Sequence, residues 1–424
     1  MVPVTLIEAY FMTDQAFSLS IAPTTILSAV DKISDLTSIL DISTLDIVAI
    51  TDTAKLPQPL TPPILHARYK TVATDFVVNE VLPNIFTGEG EHLWLHIQKM
   101  GMNTAYLAKL LAEWADIPLR DVGYSGLKDR HALTTQWFSL RIPEKQLPPT
   151  PFAPLNLGDD ESVQILDQHW HNKKLGRGAH QANQFIITLR DIQLATASLN
   201  KDQLSDTTQK ISQHLAHISQ LGVPNYFGPQ RFGHNGNNIK EALRLFAEPQ
   251  KDNVKSKSKN NRKRAPTEHH TMALSAARSL IFNEILAVRV REGSWNTGMA
   301  GEVFNLNGSG SIFASEAIDD ALRARLIEGD IHPTAPLWGV DNDKVSGAAA
   351  RLENNVVQQN SVLTQLATGL LQRKIKAQRR ALRLPIEGLE WEWQDAQTLI
   401  LHFNLPTGSF ATSVLAALAQ QLAT

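Results

Sequence analysis

The feature that most constrains this chain is the stretch from residue 122 to residue 142, two apolar runs separated by ionisable side chains. Residues 135–142 alternate with period 2, which is typical of a strand with one buried face. The first run is broken by Gly123 and Gly126, where a missing Cβ permits a turn or a close approach of other groups. The connection between the runs holds four consecutive ionisable residues, Lys128, Asp129, Arg130 and His131. Such connections often carry catalytic or binding groups, although a solvated charged turn has the same pattern.

Length and composition limit the number of domains and the classes of site that this chain can have. A chain of 424 residues is longer than one hydrophobic core usually grows, so two or three domains are expected. The absence of cysteine excludes disulfides, thiolate catalysis and cysteine-based metal sites. No apolar run is expected to span a membrane, and the first residues lack the basic region of a signal peptide, so the cytoplasm is the expected location. His92 and His96 share one face of a predicted strand without a legible third ligand, so no metal is expected.

The central stretch resembles a known family. Residues 123–139 are similar to the central motif of the TruD family of tRNA pseudouridine synthases, in which the Asp of a Lys-Asp pair is the catalytic residue. This resemblance implies that Asp129 is the catalytic nucleophile. A basic residue before an Asp-Phe-x-Val-x-Glu segment also resembles the family, and this implies that Lys70 is its active-site lysine. A solvated edge position is the alternative for a lone lysine.

A second resemblance lies in residues 178–190, which end in an alternating strand pattern. In the family's corresponding segment an Asn and a Phe line the uridine pocket, and this implies that Asn183 and Phe185 bind the target uridine. Phe185 is then expected to be partly exposed and to stack on the base. Ala182 stands where the family usually has Gly. From the residues alone, Phe185 is equally consistent with a core aromatic.

Two further segments indicate RNA binding. Residues 222–233 interleave aromatic side chains with Arg231 and amides, which suits stacking on unpaired bases and contacts with phosphates. This string also resembles the family, although Pro229 replaces an acid that is often found there. Residues 251–264 form a basic segment with almost nothing apolar, and we expect either a solvated loop or an arm that contacts phosphates.

The resemblance covers roughly residues 65–424 and implies an α+β fold. We expect a pseudouridine synthase core with a mixed, mainly antiparallel sheet, plus an inserted α/β TRUD domain. The proline-rich residues 56–63 mark a boundary, because proline neither continues a helix nor pairs centrally in a sheet. The expected divisions are an N-terminal extension of unknown role (1–64), a catalytic domain (65–208 and 360–424) and an inserted domain (209–359).

The chemistry implied by the resemblance needs no cofactor. The carboxylate of Asp129 would attack C6 of the uracil or C1′ of the ribose, or remove the 2′ proton. A carboxylate in a closed pocket needs a cation to stay ionised, and Lys70 is the first candidate. Lys128 and Arg130 point away from Asp129 in an extended backbone, so they are expected to contact phosphates.

The implied substrate is tRNA, with uridine 13 of the D-arm as the target, and a monomer is expected. Two other classes of protein fit the same residues. One is an RNA-binding protein without activity, which would need the aromatic and basic side chains but not Asp129. The other is a hydrolase that uses Asp129 with His131.

Overall fold

A computed structural model describes residues 46–83, 86–153, 158, 160–194, 201–248 and 268–424. The chain divides into two units after Asp46, and the architecture below belongs to the second unit, Ile47–Thr424. Most of the predicted N-terminal extension and the whole basic segment 251–264 lie outside the described residues.

The elements alternate irregularly between strands and helices. The strands are β1 (Ile64–Arg68), β2 (Phe76–Val81), β3 (His92–Met100), β4 (Val122–Tyr124), β5 (Leu133–Arg141), β6 (Ser162–His171), β7 (Ala182–Leu194), β8 (Val223–Pro224), β9 (Val303–Leu306), β10 (Ile312–Ala314), β11 (Ile331–Leu337), β12 (Gln378–Ala381), β13 (Arg383–Leu384), β14 (Glu387–Asp395), β15 (Thr398–Pro406) and β16 (Ala419–Ala423). The helices are α1 (Ile47–Ile50), α2 (Thr104–Trp114), α3 (Lys201–Leu221), α4 (Asn237–Ala247), α5 (Glu268–Arg291), α6 (Asp320–Glu328), α7 (Gly347–Gln358), α8 (Ser361–Gln372) and α9 (Ala411–Leu418).

The largest element is a sheet of ten strands. Its main path runs β14-β15-β7-β2-β5-β3-β6, with β1 beside β7, β16 beside β1, and β4 beside β5. The pairs β1–β16 and β2–β5 are parallel, and the other pairs of this sheet are antiparallel. This topology confirms the predicted α+β class with a mixed, mainly antiparallel sheet.

A second sheet of four antiparallel strands, in the order β10-β9-β11-β12, is built from residues 303–381. The chain returns from it through β13, which pairs with β8, and then re-enters the large sheet with β14 and β15. The large sheet is thus assembled from two separated parts of the sequence. The residue numbers of the predicted domain boundaries stay a prediction.

One face of β3 and β5 packs against α2. Buried Leu93, Leu95 and Ile97 alternate along β3 and meet Leu107 and Leu111 of the helix. The helix begins at Thr104, where the side chain of Asn103 accepts a hydrogen bond from the Tyr106 backbone N–H at 2.8 Å and so caps the first turn. The apolar stripe of α2 follows from its helical spacing. This packing fixes the base of the connection that carries Asp129.

A larger core joins β7 and β15 to helices α3 and α9. It is made of apolar side chains that alternate along the strands, together with the inward faces of the helices, and includes Phe76, Phe185, Ile187, Leu401, Phe403, Ile211, Leu215, Val414 and Leu418. Period-2 burial on the strands and 3.6-residue spacing on the helices place these residues on one shared interface.

Helix α5 corrects one expectation. Its residues His270–Arg291 are long and apolar enough to cross a bilayer by length and composition alone, whereas the sequence was expected to contain no such run. Of its most apolar window, 61% is buried inside the fold. The helix packs against other elements of the chain, including β11 and α8. Burial of this kind is typical of the central helix of a packed domain, which is hydrophobic on all sides.

Candidate active site

The candidate site is the connection of residues 125–132 between β4 and β5. These two strands are antiparallel neighbours, so the connection begins and ends at the same edge of the sheet. A Cβ on Gly123 would lie 2.5 Å from the carbonyl oxygen of Leu175 and 2.6 Å from Oγ of Ser139. Neither atom can approach a real Cβ so closely, so glycine is required there. The glycine thus permits the close backbone approach that the sequence suggested.

Side chains from α2, β3 and β5 hold this connection from below. Thr104 Oγ1 accepts a hydrogen bond from the backbone N–H of Lys128 at 2.9 Å and donates to the side chain of buried Gln136 at 2.9 Å. The fully buried ammonium of Lys99 donates to the carbonyl oxygens of Met102 at 2.6 Å and Asp129 at 3.1 Å. The backbone of the connection is therefore fixed before any ligand arrives.

Lys99 is unusual in electrostatic terms. Burial lowers its pKa to about 8, although the negative charge of Asp129 acts in the opposite direction. Its acceptors are backbone carbonyl oxygens, and one of them belongs to Asp129 itself. Lys99 therefore both positions the Asp129 backbone and adds positive potential beneath its carboxylate.

The carboxylate of Asp129 is held by two donors. Lys70 Nζ donates to Oδ2, and the backbone N–H of His131 donates to Oδ1 at 3.1 Å. Burial alone would raise the pKa of Asp129, but the hydrogen bond and charge of Lys70 and the N–H of His131 outweigh it and lower the pKa below its usual value. The side chain remains 31% exposed, so Asp129 is an ionised carboxylate that a substrate can reach.

Lys70 reaches Asp129 from the turn between β1 and β2. Its backbone has φ of +58°, a left-handed conformation that costs a residue with a side chain roughly 1–3 kcal/mol. Its ammonium lies 4.3 Å from the ring centroid of Phe76 and 5.5 Å from that of Tyr69. Aromatic faces attract a cation that has lost part of its water. The strained backbone and the two rings together direct Lys70 toward Asp129.

Lys128 does not occupy the position that was expected of it. Its side chain is only 5% exposed, its ammonium forms an ion pair with Glu80 at 3.0 Å, and it donates to Asn183 Oδ1 at 2.6 Å. Burial raises the pKa of Glu80, and the charge of Lys128 opposes that rise. The expected phosphate contact does not fit this placement, because the fully buried Glu80 requires a cation and Lys128 supplies it.

Asn183 is held from a second side by His180. Nδ2 of Asn183 lies 3.3 Å from Nε2 of His180. On the other side of the ring, Nδ1 of His180 lies 2.5 Å from Oγ of Ser125. Burial, followed by the charge of Lys128, lowers the pKa of His180 to about 4. The ring is therefore neutral near pH 7. A proton on Nδ1 leaves Nε2 free to accept from the amide of Asn183.

Phe185 departs from its expected exposure. It lies on β7, is only 6% exposed, and packs against Phe403 in a stacked arrangement with ring centroids 5.4 Å apart and against Phe76 edge-on at 6.1 Å. The expected partial exposure was wrong, because the neighbouring strand β15 places Phe403 directly beside it. In this structure Phe185 is a core aromatic whose exposed part is small.

The remaining predicted cations, Arg130 and Arg231, do not contact Asp129 in the hydrogen bonds that follow. Arg130 is exposed, with Nε donating to the carbonyl oxygen of Gly101 at 2.7 Å and the guanidinium 3.5 Å from Glu161. Arg231 is half-buried, and its guanidinium donates to Oγ of Ser275 at 3.1 Å. The structure thus brings together Lys70, Lys128, Asn183 and Asp129, but it leaves Arg130 at the rim and Arg231 in another environment.

His96 is one of two histidines on the same face of β3. The ring of His96 stacks on Trp137 with centroids 4.6 Å apart. Across the ranges that the structure describes, no three His, Asp or Glu side chains are grouped so that they could hold a metal ion.

Sequence reasoning missed Lys99 and His180. Lys99 had a detectable signal, since it follows Leu93, Leu95 and Ile97 at the same parity of β3 and so falls on the buried face of the strand. A lysine at a buried position needs a specific reason. His180 had no comparable signal, because its contacts with Ser125 and Asn183 depend on how β7 approaches the 125–132 connection.

The fold is similar to that of a solved structure. A crystal structure described as that of the putative tRNA pseudouridine synthase D (TruD) from Methanosarcina mazei matches with a TM-score of 0.62, at 22% identity, over 87% of this chain and 97% of that one. At this identity the likeness concerns the fold alone. It shows that this chain shares the α+β fold of that structure.

Sequence comparison identifies the family. The family model of tRNA pseudouridine synthase D (TruD) matches residues 62–243 and 240–418. A tRNA pseudouridine synthase D of Psychrobacter arcticus is 68% identical over 389 residues, covering 89% of this chain and 96% of that protein. One of Xanthomonas euvesicatoria is 42% identical over 369 residues, covering 86% and 95%. The chain therefore belongs to the tRNA pseudouridine synthase D (TruD) family, and the predicted resemblance is confirmed.

Proposed function

We propose that this protein isomerises uridine to pseudouridine in tRNA, at uridine 13 of the D-arm, with Asp129 as the catalytic nucleophile. The observation that carries the proposal is the contact of an ionised, partly exposed carboxylate with Lys70 on a rigidly held connection. Family membership supports the reaction and the class of substrate. The position in the tRNA and the role of Asp129 rest on the family resemblance.

The reaction rearranges bonds without adding or removing atoms. The bond from N1 of the base to C1′ of the ribose breaks, the base rotates, C5 bonds to C1′, and the proton lost from C5 is balanced by one gained at N1. Asp129 serves this sequence if it attacks C6 or C1′, or if it removes the 2′ proton. Each version requires the carboxylate in its ionised form. The lowered pKa of Asp129 supplies that form at neutral pH.

Lys70 keeps that carboxylate ready. A carboxylate in a partly closed pocket becomes a weak base and a weak nucleophile if it takes up a proton. The ammonium of Lys70 prevents this, and its strained backbone and aromatic neighbours hold it in place without a substrate. A preformed arrangement of this kind costs no reorganisation during the reaction.

Asn183 is proposed to contact the target base. Lys128 and His180 each hold one end of its amide, so one lone pair of the oxygen and one hydrogen of the nitrogen remain for a base edge. The uridine must leave its stack to reach Asp129, and a fixed amide is suited to reading a flipped base. Phe185 remains part of the proposal only through the small exposed part of its ring.

The test is incubation of the purified protein with unmodified tRNA, followed by mass spectrometry before and after carbodiimide labelling. Isomerisation leaves the mass of the RNA unchanged, and the label then marks pseudouridine at one position. We expect a single labelled site in the D-arm. Labelling at other positions would contradict the choice of uridine 13 but not the reaction.

The same experiment separates the two other classes of protein. An RNA-binding protein without activity would leave tRNA unlabelled. A hydrolase would release free base or cut the strand, and either outcome changes the mass. His131 contacts Asp129 through its backbone N–H, an arrangement that supports orientation of the carboxylate rather than a shared proton between two side chains.

A further inference from the structure

Two guanidinium groups lie against the ring of Phe227. The Cζ atom of Arg231 is 5.1 Å from the centroid of that ring, and the Cζ atom of Arg380, on β12, is 4.4 Å from it. We call these two residues the Phe227 arginine pair. Phe410 lies 6.0 Å from Arg231 and Phe282 lies 5.7 Å from Arg380. Aromatic faces restrict the planes of the guanidinium groups, so the pair is held in position by packing.

The pair has only neutral hydrogen-bond partners. Arg231 donates to Oγ of Ser275 at 3.1 Å, and Arg380 donates to the side-chain oxygen of Asn225 and to the carbonyl oxygen of Gly408 at 3.4 Å. The Nε atom of each arginine is buried without a partner. Within the described part of the chain, neither guanidinium has a carboxylate at ion-pair distance.

The neighbouring arginine, Arg379, has an acidic partner. Arg379 precedes Arg380 on β12, and its buried guanidinium is 2.7 Å from a carboxylate oxygen of Glu353. Burial lowers the pKa of Arg380 to about 10, and the positive charge of Arg231 contributes to this. Two like charges that are partly removed from water destabilise one another. An anion that contacts both would remove that cost.

The pair adjoins the candidate active site through one segment of chain. Gly408, which accepts from Arg380, follows Thr407, whose hydroxyl donates to the carbonyl oxygen of His180 at 2.5 Å. The ring of His180 in turn contacts the amide of Asn183. A polymer that places one nucleotide at Asn183 can therefore extend over the 407–408 segment to the pair.

We propose that the Phe227 arginine pair binds a backbone phosphate of the tRNA, close to the nucleotide that enters the Asp129 site. This inference rests on the proposed function. Guanidinium groups match phosphate oxygens through two parallel hydrogen bonds, and both arginines of the pair are partly exposed. Phosphate contacts fix the register of a nucleic acid without reading its sequence. The pair thus positions the strand while Asn183 contacts the base.

The test measures how tRNA affinity depends on salt. Arg231→Gln and Arg380→Gln each remove one positive charge and retain an amide donor. We expect Kd for unmodified tRNA to rise roughly tenfold or more in each variant. The slope of log affinity against log salt should fall by about 0.7–0.9 for the lost phosphate contact. Arg323→Gln removes a charge from an exposed arginine on α6 and should leave the slope unchanged.

Arg380 packs against two rings, so its replacement by Gln could lower stability. Arg380→Lys is therefore measured beside it, since lysine keeps the charge and loses the planar fork. We expect the salt slope to stay close to that of the wild type and Kd to rise severalfold. The proposal would be overturned if Kd were unchanged in both folded variants, Arg231→Gln and Arg380→Lys, and the slope were unchanged in Arg231→Gln.

A free anion is the competing source of the same chemistry. Inorganic phosphate that raises Tm of the wild type but not of Arg231→Gln, with the tRNA salt slope equal in both, would assign the pair to a small anion and overturn the tRNA assignment. The binding assay needs no turnover. If tRNA binds with the expected slopes but no pseudouridine forms, the proposed reaction fails and the phosphate site stands.

Discussion

Buried cations have different partners in two regions of the molecule. At the candidate active site, Lys70 and Lys128 each meet a carboxylate, that of Asp129 and that of Glu80. At Phe227, Arg231 and Arg380 have amide, hydroxyl and carbonyl acceptors, and no acid among the described residues is within ion-pair distance of either. Paired charges keep their positions in the free protein. Unpaired charges lower its stability and favour the binding of an anion.

Near the second sheet, two buried arginines form ion pairs with glutamates. Arg289 of α5 is 2.7 Å from Glu302, and both side chains are almost fully buried. Arg379 and Glu353 repeat this arrangement beside β12. The lack of an acid at Phe227 is therefore a local property of that site. It distinguishes the proposed catalytic region, where cations have acidic partners, from the Phe227 arginine pair, where they have neutral ones.

The largest expected effect is that of Asp129→Asn. The amide keeps the shape of the side chain but cannot act as a nucleophile or a base, so turnover should fall by roughly 10⁴-fold or more. The affinity for tRNA should change little, because phosphate contacts supply most of it. Single-turnover assays and filter binding on the same preparation measure both. Asp191→Asn, at an exposed carboxylate that pairs with Arg68 at 3.4 Å, is the control and should retain activity. Appreciable turnover by Asp129→Asn would show that Asp129 is not the catalytic nucleophile.

The second prediction concerns the pair formed by Lys128 and Glu80. Lys128→Met leaves a buried carboxylate without its cation, so the free energy of unfolding should fall by about 3–5 kcal/mol. Adding Glu80→Gln should restore part of it, since the unpaired charge is then gone. Lys109→Met removes an exposed lysine from an i,i+4 pair on α2 and should cost no more than about 0.5 kcal/mol. Urea unfolding measures all of these. Equal losses in Lys128→Met and Lys109→Met would show that the buried pair contributes nothing special.

The third prediction reverses the sequence-based expectation for Phe185. A ring that is 6% exposed and stacked on Phe403 should cost about 3–5 kcal/mol when truncated to Ala, so Tm should fall clearly below that of the wild type. Phe185→Leu keeps an apolar side chain and should cost less than about 1.5 kcal/mol. If Phe185→Leu keeps Tm but loses most turnover, the ring contacts the base. If it keeps both, the residue serves packing alone.

Local patterns predicted the parts of the site that are contiguous in sequence. The alternation of residues 135–142 predicted β5, and Asn103 followed by helical spacing is a start signal for α2 that the sequence also contains. The resemblance singled out Lys70 and Asp129, which the structure places in contact. These predictions depend on short-range periodicity, on capping and on a long motif, all of which are visible in one sequence.

The contacts that were not predicted join distant segments. Lys128 was expected at a phosphate, but the parallel pairing of β2 with β5 brings Glu80 beneath it, and a single sequence does not reveal that pairing. Phe185 was expected at a pocket wall, but strand β15, more than two hundred residues later, covers it. Arg380 lies against Phe227 only because the chain returns past that residue more than one hundred positions later. These contacts depend on which strands pair and in which register, because register determines which side chains become neighbours.

The smallest expected effect concerns His180. It tests whether the contact between His180 and Asn183 at the candidate active site depends on a neutral imidazole ring. The pKa of His180 in the folded protein is about 4, below the value of about 6.5 that an unfolded chain shows. Between these values the unfolded chain binds more protons than the folded one, so the stability that His180 supports is fully present above pH 6.5 and is lost as the pH falls toward 4. Protonation also removes the Nε2 acceptor for Asn183 and places a second positive charge near Lys128.

His180→Gln keeps a donor and an acceptor but does not titrate, so its free energy of unfolding should decline less than that of the wild type between pH 6.5 and 4. Urea unfolding at four or five pH values measures the difference. Parallel curves for the two proteins would mean that the contact between His180 and Asn183 does not require the neutral ring.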